Sequence, residues 1–134
     1  MRLERYVKDM LIELHTLQQM VDTLVLPAAF TYANRLAEGA AHAKAAGISV
    51  VPQVAAANDV GRLIEELQAQ RRALGEVLAR AEGMHEAAEE CAKLLTTEGA
   101  SRMAEVRATC DALELVVGDD HWPLPKYREM LFPV

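Results

Sequence analysis

Glu82 and His85 stand three residues apart in Glu82-Gly83-Met84-His85, a Glu-x-x-His step that can aim a carboxylate and an imidazole at one metal ion from a single helical face. Bundles that hold two metal ions use two such steps plus two further Glu on facing helices. This sequence supplies one: Glu13 and His15 are two apart, Glu38 and His42 are four apart, and no second Glu-x-x-His occurs. A paired-metal centre is therefore not expected. His85, Glu86, Glu89 and Glu90 could ligate one divalent ion from one helical face, although a solvated acidic surface is the commoner meaning of such a cluster. No Gly-rich phosphate loop, Cys-x-x-Cys pair or nucleophile beside an obvious base is present, so catalysis by this chain alone is not expected. His121, next to Trp122, reads as a hydrogen-bonding residue at a helix end.

Composition narrows the classes further. Fourteen basic against twenty acidic side chains give a net charge of -6, the wrong field for a sequence-independent nucleic-acid surface. No apolar run approaches the roughly 20 residues that cross a bilayer, and no charged-then-apolar leader follows Met1, which reads as a cytoplasmic protein. Cys91 and Cys110 make no disulfide framework and read as small core residues. Aromatics are only 4% while 51% of residues are hydrophobic, so alanine carries much of the apolar count and closely approaching helices are favoured over sheets.

The elements that would position these groups are helices. Leu3, Val7, Met10, Leu14, Leu17, Val21, Leu24 and Ala28 alternate at steps of four and three, which lines one face of a first helix. Tyr32, Leu36 and Ala40 extend it past Pro27, whose missing N–H and crowded ring predict a kink near Thr23. The same alternation from Val60 through Leu63, Leu67, Leu74, Val77, Ala81, Met84, Ala88, Cys91 and Leu95 predicts a second helix, with Gln70 as a polar seam residue that either sets register or meets a partner across the bundle, a structural role in both cases. Gly99 is expected to break the pattern and Ser101 to cap a third helix. That helix carries Met103, Val106, Cys110, Leu113 and Val117 on its seam and ends at Gly118. Gly39 to Asn58, with Gly47, Pro52 and the cap candidates Asn58 and Asp59, is expected to hold a first connection of open extent that is itself partly helical; a first helix reaching Ala45 would be roughly 65 Å long. Glu65, Glu66, Arg71 and Arg72 read as exposed helix face. The fold class is therefore all-α: an elongated antiparallel bundle of three long helices, the first kinked at Pro27, spanning 1–134 as one domain.

Residues 119–134, DDHWPLPKYREMLFPV, follow no packing period. Pro123 and Pro125 fix their own backbones and push Trp122 and Leu124 toward extended conformations, after which a short helix can start at Pro125. Trp122, Leu124, Tyr127, Leu131 and Phe132 would either fold back on the bundle as a latch or dock on another surface. Burial is worth roughly 1.5–3 kcal/mol for each large side chain, which favours the latch.

The tail, the run Tyr6 to Asn34 with its Glu in mid-helix and the Leu26-Pro27-Ala28-Ala29 step, and the pattern Met103, Arg107, Asp111, Leu113, Glu114 together resemble the C-terminal region of type III glutamine synthetases. The resemblance spans nearly the whole chain, while Gly39 to Ala100 is alanine-rich helix of low specificity. It implies a parent enzyme that uses ATP and Mg or Mn to join ammonia to glutamate, with its catalytic residues on a β-rich domain to which nothing here corresponds. It further implies that this chain is a C-terminal piece of a longer polypeptide, that Met1 is an internal or expression-derived residue, and that the natural C-terminus is retained. The expected role is a structural or assembly domain without its own cofactor or catalytic residue. Its partners would be the catalytic domain of the same chain and neighbouring subunits of a homo-oligomer. The alternative is an independent helical adaptor or metal-binding protein with the tail as its partner motif.

Overall fold

The computed structural model describes residues 2–125, and every regular element among them is helical. Helix α1 (Arg2–Met20) passes through a π-turn (Val21–Val25) into α2 (Leu26–Ala45) without a break, forming a first rod about 65 Å long at 1.5 Å per residue. Helix α3 (Val51–Glu82) is the second rod. The third consists of α4 (Ala88–Leu94), a second π-turn (Leu95–Gly99) and α5 (Ala100–Val116), followed by a 3-10 turn at Asp119–His121.

The first connection falls within Gly39 to Asn58, most of which is helical, as expected. Alanine-rich chain keeps α2 helical through Gly39 to Ala45, and the turn occupies only residues 46–50. Gly47, at φ 76°, sits just past the helix end, where a left-handed residue is needed. Its N–H donates to the Lys44 carbonyl and that of Ile48 to the Ala43 carbonyl, which satisfies two orphan acceptors of α2. Pro52 falls in the first turn of α3, where its lost donor costs nothing. Asn58 and Asp59 lie inside α3 and cap nothing, and Asp59 instead meets Arg62 at 3.7 Å.

The second connection lies elsewhere than expected. α3 ends at Glu82, the chain turns over residues 83–87, and Gly99 is helical, with φ -59° and ψ -50°. Ser101 makes no cap, because the chain is already helical before it. Burial explains the choice. Reversing at Gly83 brings Cys91, Leu94 and Leu95 back over α1 and α3, whereas a second helix continued to Leu95 would carry them past the end of the bundle.

The α3 stripe matches the period in the sequence: Val60, Leu63, Leu67, Leu74, Val77 and Ala81 are all buried. Gln70 meets Thr109 on α5, whose hydroxyl donates to the Gln70 Oε1 at 2.6 Å; Thr109 is itself buried, so the pair satisfies a polar contact inside the seam. On the first rod the stripe shifts. Val25 and Ala29 are buried where Leu24 and Ala28 were expected, because the wider π-turn takes up one extra residue and rotates all that follows by one position. The Leu26 N–H bonds the Val21 carbonyl five residues back, so the chain reaches Pro27 in a loosened register.

Polar side chains flank the seam in a consistent order. Tyr6 meets Thr96 at 3.0 Å, His15 meets Glu82 at 3.0 Å, and Asp22 accepts two bonds from Arg71, at 2.9 and 2.7 Å. From His15–Glu82 to Asp22–Arg71, positions on α3 descend as those on the first rod rise, so the two run in opposite directions, while Tyr6–Thr96 joins the first rod to the third. Arg80–Glu98 and Gln70–Thr109 give the same relation between α3 and the third rod. Arg71 is therefore a clamp, not only an exposed charge as its sequence neighbourhood suggests.

Deleting Thr23 should convert the π-turn to ordinary helix while leaving Val25 and Ala29 inward. Its thermal unfolding should stay cooperative, within a few degrees of the parent chain, whereas deleting Glu66 from α3 rotates the rest of that stripe by about 100° and should abolish cooperative melting. The Arg71 hydrogen bonds, and then its charge, hold the Asp22 carboxyl below its ordinary value, so this stability is present above about pH 4 and is lost as pH falls through the folded pKa. With both groups more than a third exposed and solvent-screened, Asp22→Asn should cost about 0.5–1 kcal/mol in urea denaturation at pH 7, with the difference shrinking by pH 3.

Candidate functional site

α1, its π-turn and α5 flank a groove of about 480 Å³, within the range of roughly 300–1,000 Å³ typical of ligand pockets. Its walls are apolar: Ile12, Leu17 and Met20 from α1, Val21 and Val25 from the π-turn, and Leu124 from the tail. Glu13 and Thr16 on one side, and Arg107, Cys110 and Asp111 on the other, supply the polar groups. Glu13 is the mid-helix Glu of the first resembling stretch, and Arg107 and Asp111 belong to the resembling α5 pattern. Residues some ninety-four positions apart thus converge because the third rod returns over the first (Asp111 lies 98 residues from Glu13 and Arg107 lies 94).

Cys110 is half-buried, and burial followed by the neighbouring Asp111 charge pushes its thiol up to about 11. At neutral pH it is protonated and a poor nucleophile. Cys91 is a buried core thiol whose Sγ lies 3.5 Å from the Ala81 carbonyl. Apolar walls rimmed by two carboxylates and a guanidinium suit recognition of an amphipathic surface better than bond chemistry.

The tail reaches this groove through α2. Gly118 packs so closely on Tyr32 that a Cβ there would lie 3.1 Å from the Tyr32 ring, and the His121 ring tilts over Tyr32 at 5.5 Å. Trp122 is extended beyond the 3-10 turn, as Pro123 demands, and Trp122 and Leu124 pack half-buried against the core. Pro123 and Pro125 are exposed. Tyr127, Leu131, Phe132 and the short helix expected to start at Pro125 lie outside the described residues.

Glu82 and His85 do not share a helical face, because α3 ends at Glu82 and His85 stands in the turn. Glu82 is instead engaged by His15 across the bundle. The same turn separates His85 and Glu86 from Glu89 and Glu90 on α4, so the single-ion arrangement on one face is not formed. Among the described residues, no three His, Cys, Asp or Glu side chains gather as a metal site, and no helix is long and apolar enough to cross a membrane. Sequence reading missed His15–Glu82, Tyr6–Thr96 and Asp22–Arg71. Their only signal was a polar residue on the flank of an apolar stripe.

The family model described as the glutamine synthetase C-terminal domain matches residues 1–44, which is the first rod almost to its end. The type-3 glutamine synthetase of Dictyostelium discoideum is 30% identical over 141 residues, covering 96% of this chain and 18% of that protein. A glutamine synthetase of Bacteroides fragilis is 32% identical over 139 residues, covering 97% of this chain and 18% of its own length. The chain thus spans less than a fifth of the curated relatives it matches, and no solved structure matches it. Over nearly its whole length, this chain is homologous to the C-terminal region of type III glutamine synthetase.

Proposed function

We propose that this chain is the C-terminal helical domain of a type III glutamine synthetase and serves its folding and assembly without performing chemistry. The observation that carries this reading is the convergence of Glu13, Arg107 and Asp111 on one apolar-walled groove that holds no activated nucleophile. On this reading residues 1–134 form one elongated antiparallel bundle whose first rod bends around Pro27, and residues 119–134 form its tail. The parent enzyme ligates ammonia to glutamate in the cytoplasm, with ATP and Mg or Mn bound on its catalytic domain and none on this segment. The bundle's partners are that catalytic domain and neighbouring subunits of a homo-oligomer; nucleic acid and membrane are not among them. Trp122, Pro123, Leu124, Pro125, Tyr127, Leu131 and Phe132 act as packing residues that fasten the tail.

The isolated chain should show no glutamate-dependent ATP hydrolysis, and robust turnover would overturn the assignment. Removing residues 119–134 from the parent enzyme should lower its oligomer mass in light scattering, as should Arg107→Glu, which places a third negative charge beside Glu13 and Asp111. An unchanged assembly in both variants would refute the structural role.

A further inference from the structure

The groove between α1, its π-turn and α5 carries apolar and charged groups that the described residues leave unmatched. Ile12 is 54% exposed on its wall, and Leu17 and Met20 are only half-buried. On its rim Glu13, Arg107 and Asp111 are exposed, and none of the three forms an ion pair or hydrogen bond with another described residue.

The chain's own course leads into this groove. Gly118 and His121 lie against Tyr32, and Leu124 then stands among the groove walls, whose members on the first rod run from Ile12 to Val25. The tail therefore enters while travelling down the first rod, toward its start. Residues 126–134, KYREMLFPV, follow Pro125. Their composition mirrors the rim: Lys126 and Arg128 with Glu129 are two basic groups and one acidic, against two carboxylates and one guanidinium. Tyr127, Met130 and Leu131 fall at steps of three and four, the spacing of one apolar face on the short helix expected from Pro125. Length also fits. From Ile12 to Val25 the groove is about 20 Å long at 1.5 Å per residue, and the segment 126–134 spans about 13 Å as helix or about 30 Å extended.

We propose that this groove is the seat of residues 126–134 of the same chain, with Tyr127, Leu131 and Phe132 laid on its apolar walls and Lys126 and Arg128 beside Glu13 and Asp111. The proposal rests on the packing role of the tail given above and names the surface that receives it. Continuity selects the occupant. Leu124 is itself a wall of the groove, so the residues after it are tethered at the edge at an effective concentration of roughly millimolar, which a segment arriving from solution must outcompete. Seated there, the segment covers Ile12 and Cys110, and Glu13 of the first rod and Arg107 and Asp111 of α5 hold a part of their own chain in place of an outside ligand.

Cys110 lines the groove while Cys91 is 1% exposed in the core, so the two thiols report separately on seating of the tail and on general loosening. Alkylation of the 134-residue chain with N-ethylmaleimide, followed by mass spectrometry, should find Cys110 slow. Ending the chain after Pro125 should speed Cys110 about tenfold with Cys91 unchanged, and Leu131→Asp with Phe132→Asp should do so about fivefold. Lys126→Glu with Arg128→Glu should give about threefold, because ions at a groove rim are screened by solvent. The protected chain should have a mass near 14.7 kDa in light scattering. Cys110 indifferent to both the truncation and the Leu131 and Phe132 pair, or quickening only as much as Cys91 in both, would overturn the proposal. So would protection that appears only at a doubled mass, which would put the tail on a second copy. If Cys110 were indifferent while removal of residues 119–134 still lowered the oligomer mass of the parent enzyme, the seat would fall and the assembly role would stand; protection by the tail with an unchanged parent assembly would do the reverse.

Discussion

Burial of one apolar stripe on α3 underlies the rest of the molecule. Val60, Leu63, Leu67, Leu74, Val77 and Ala81 face both flanking rods, and Leu67 and Leu74 are wholly shut off from water. At roughly 1.5–3 kcal/mol for each large side chain buried, this stripe outweighs all the polar clamps together, since an exposed ion pair contributes at most about 1 kcal/mol. The clamps set order and register. His15–Glu82 and Asp22–Arg71 fix which part of the first rod lies beside which part of α3.

The two π-turns follow from the same constraint. A straight helix drifts against a three-and-four seam, and over a first rod of this length the inward face would turn away from its partner. One residue absorbed at Val21–Val25 resets the face, so that Val25 and Ala29 remain inward and Tyr32 reaches Gly118. In the third rod the turn at Leu95–Gly99 keeps Leu95 and Gly99 buried while the chain passes into α5. The first π-turn also walls the groove, so helix register and the candidate binding surface have a common origin.

The groove follows from the way the third rod returns over the first. Where three rods overlap, motif residues from α1 and α5 come together around apolar walls. Beyond Tyr32, among the described residues, α2 and the start of α3 carry no fully buried side chain before Val60.

The sequence by itself determined the helical class, the α3 stripe, the polar seam position at Gln70, the extension at Trp122 and the kinship with the synthetases, because each is written in local spacing or in residue identity. The turn at Gly83 and the helical state of Gly99 were decided only by tertiary structure. Glycine and capping residues permit a helix to end but do not compel it, and the chain reverses where reversal buries the most apolar surface. The same holds for the shift from Leu24 to Val25, since a π-turn leaves no composition signal and forms when packing on a neighbour outweighs the poorer hydrogen bonds of the wider coil.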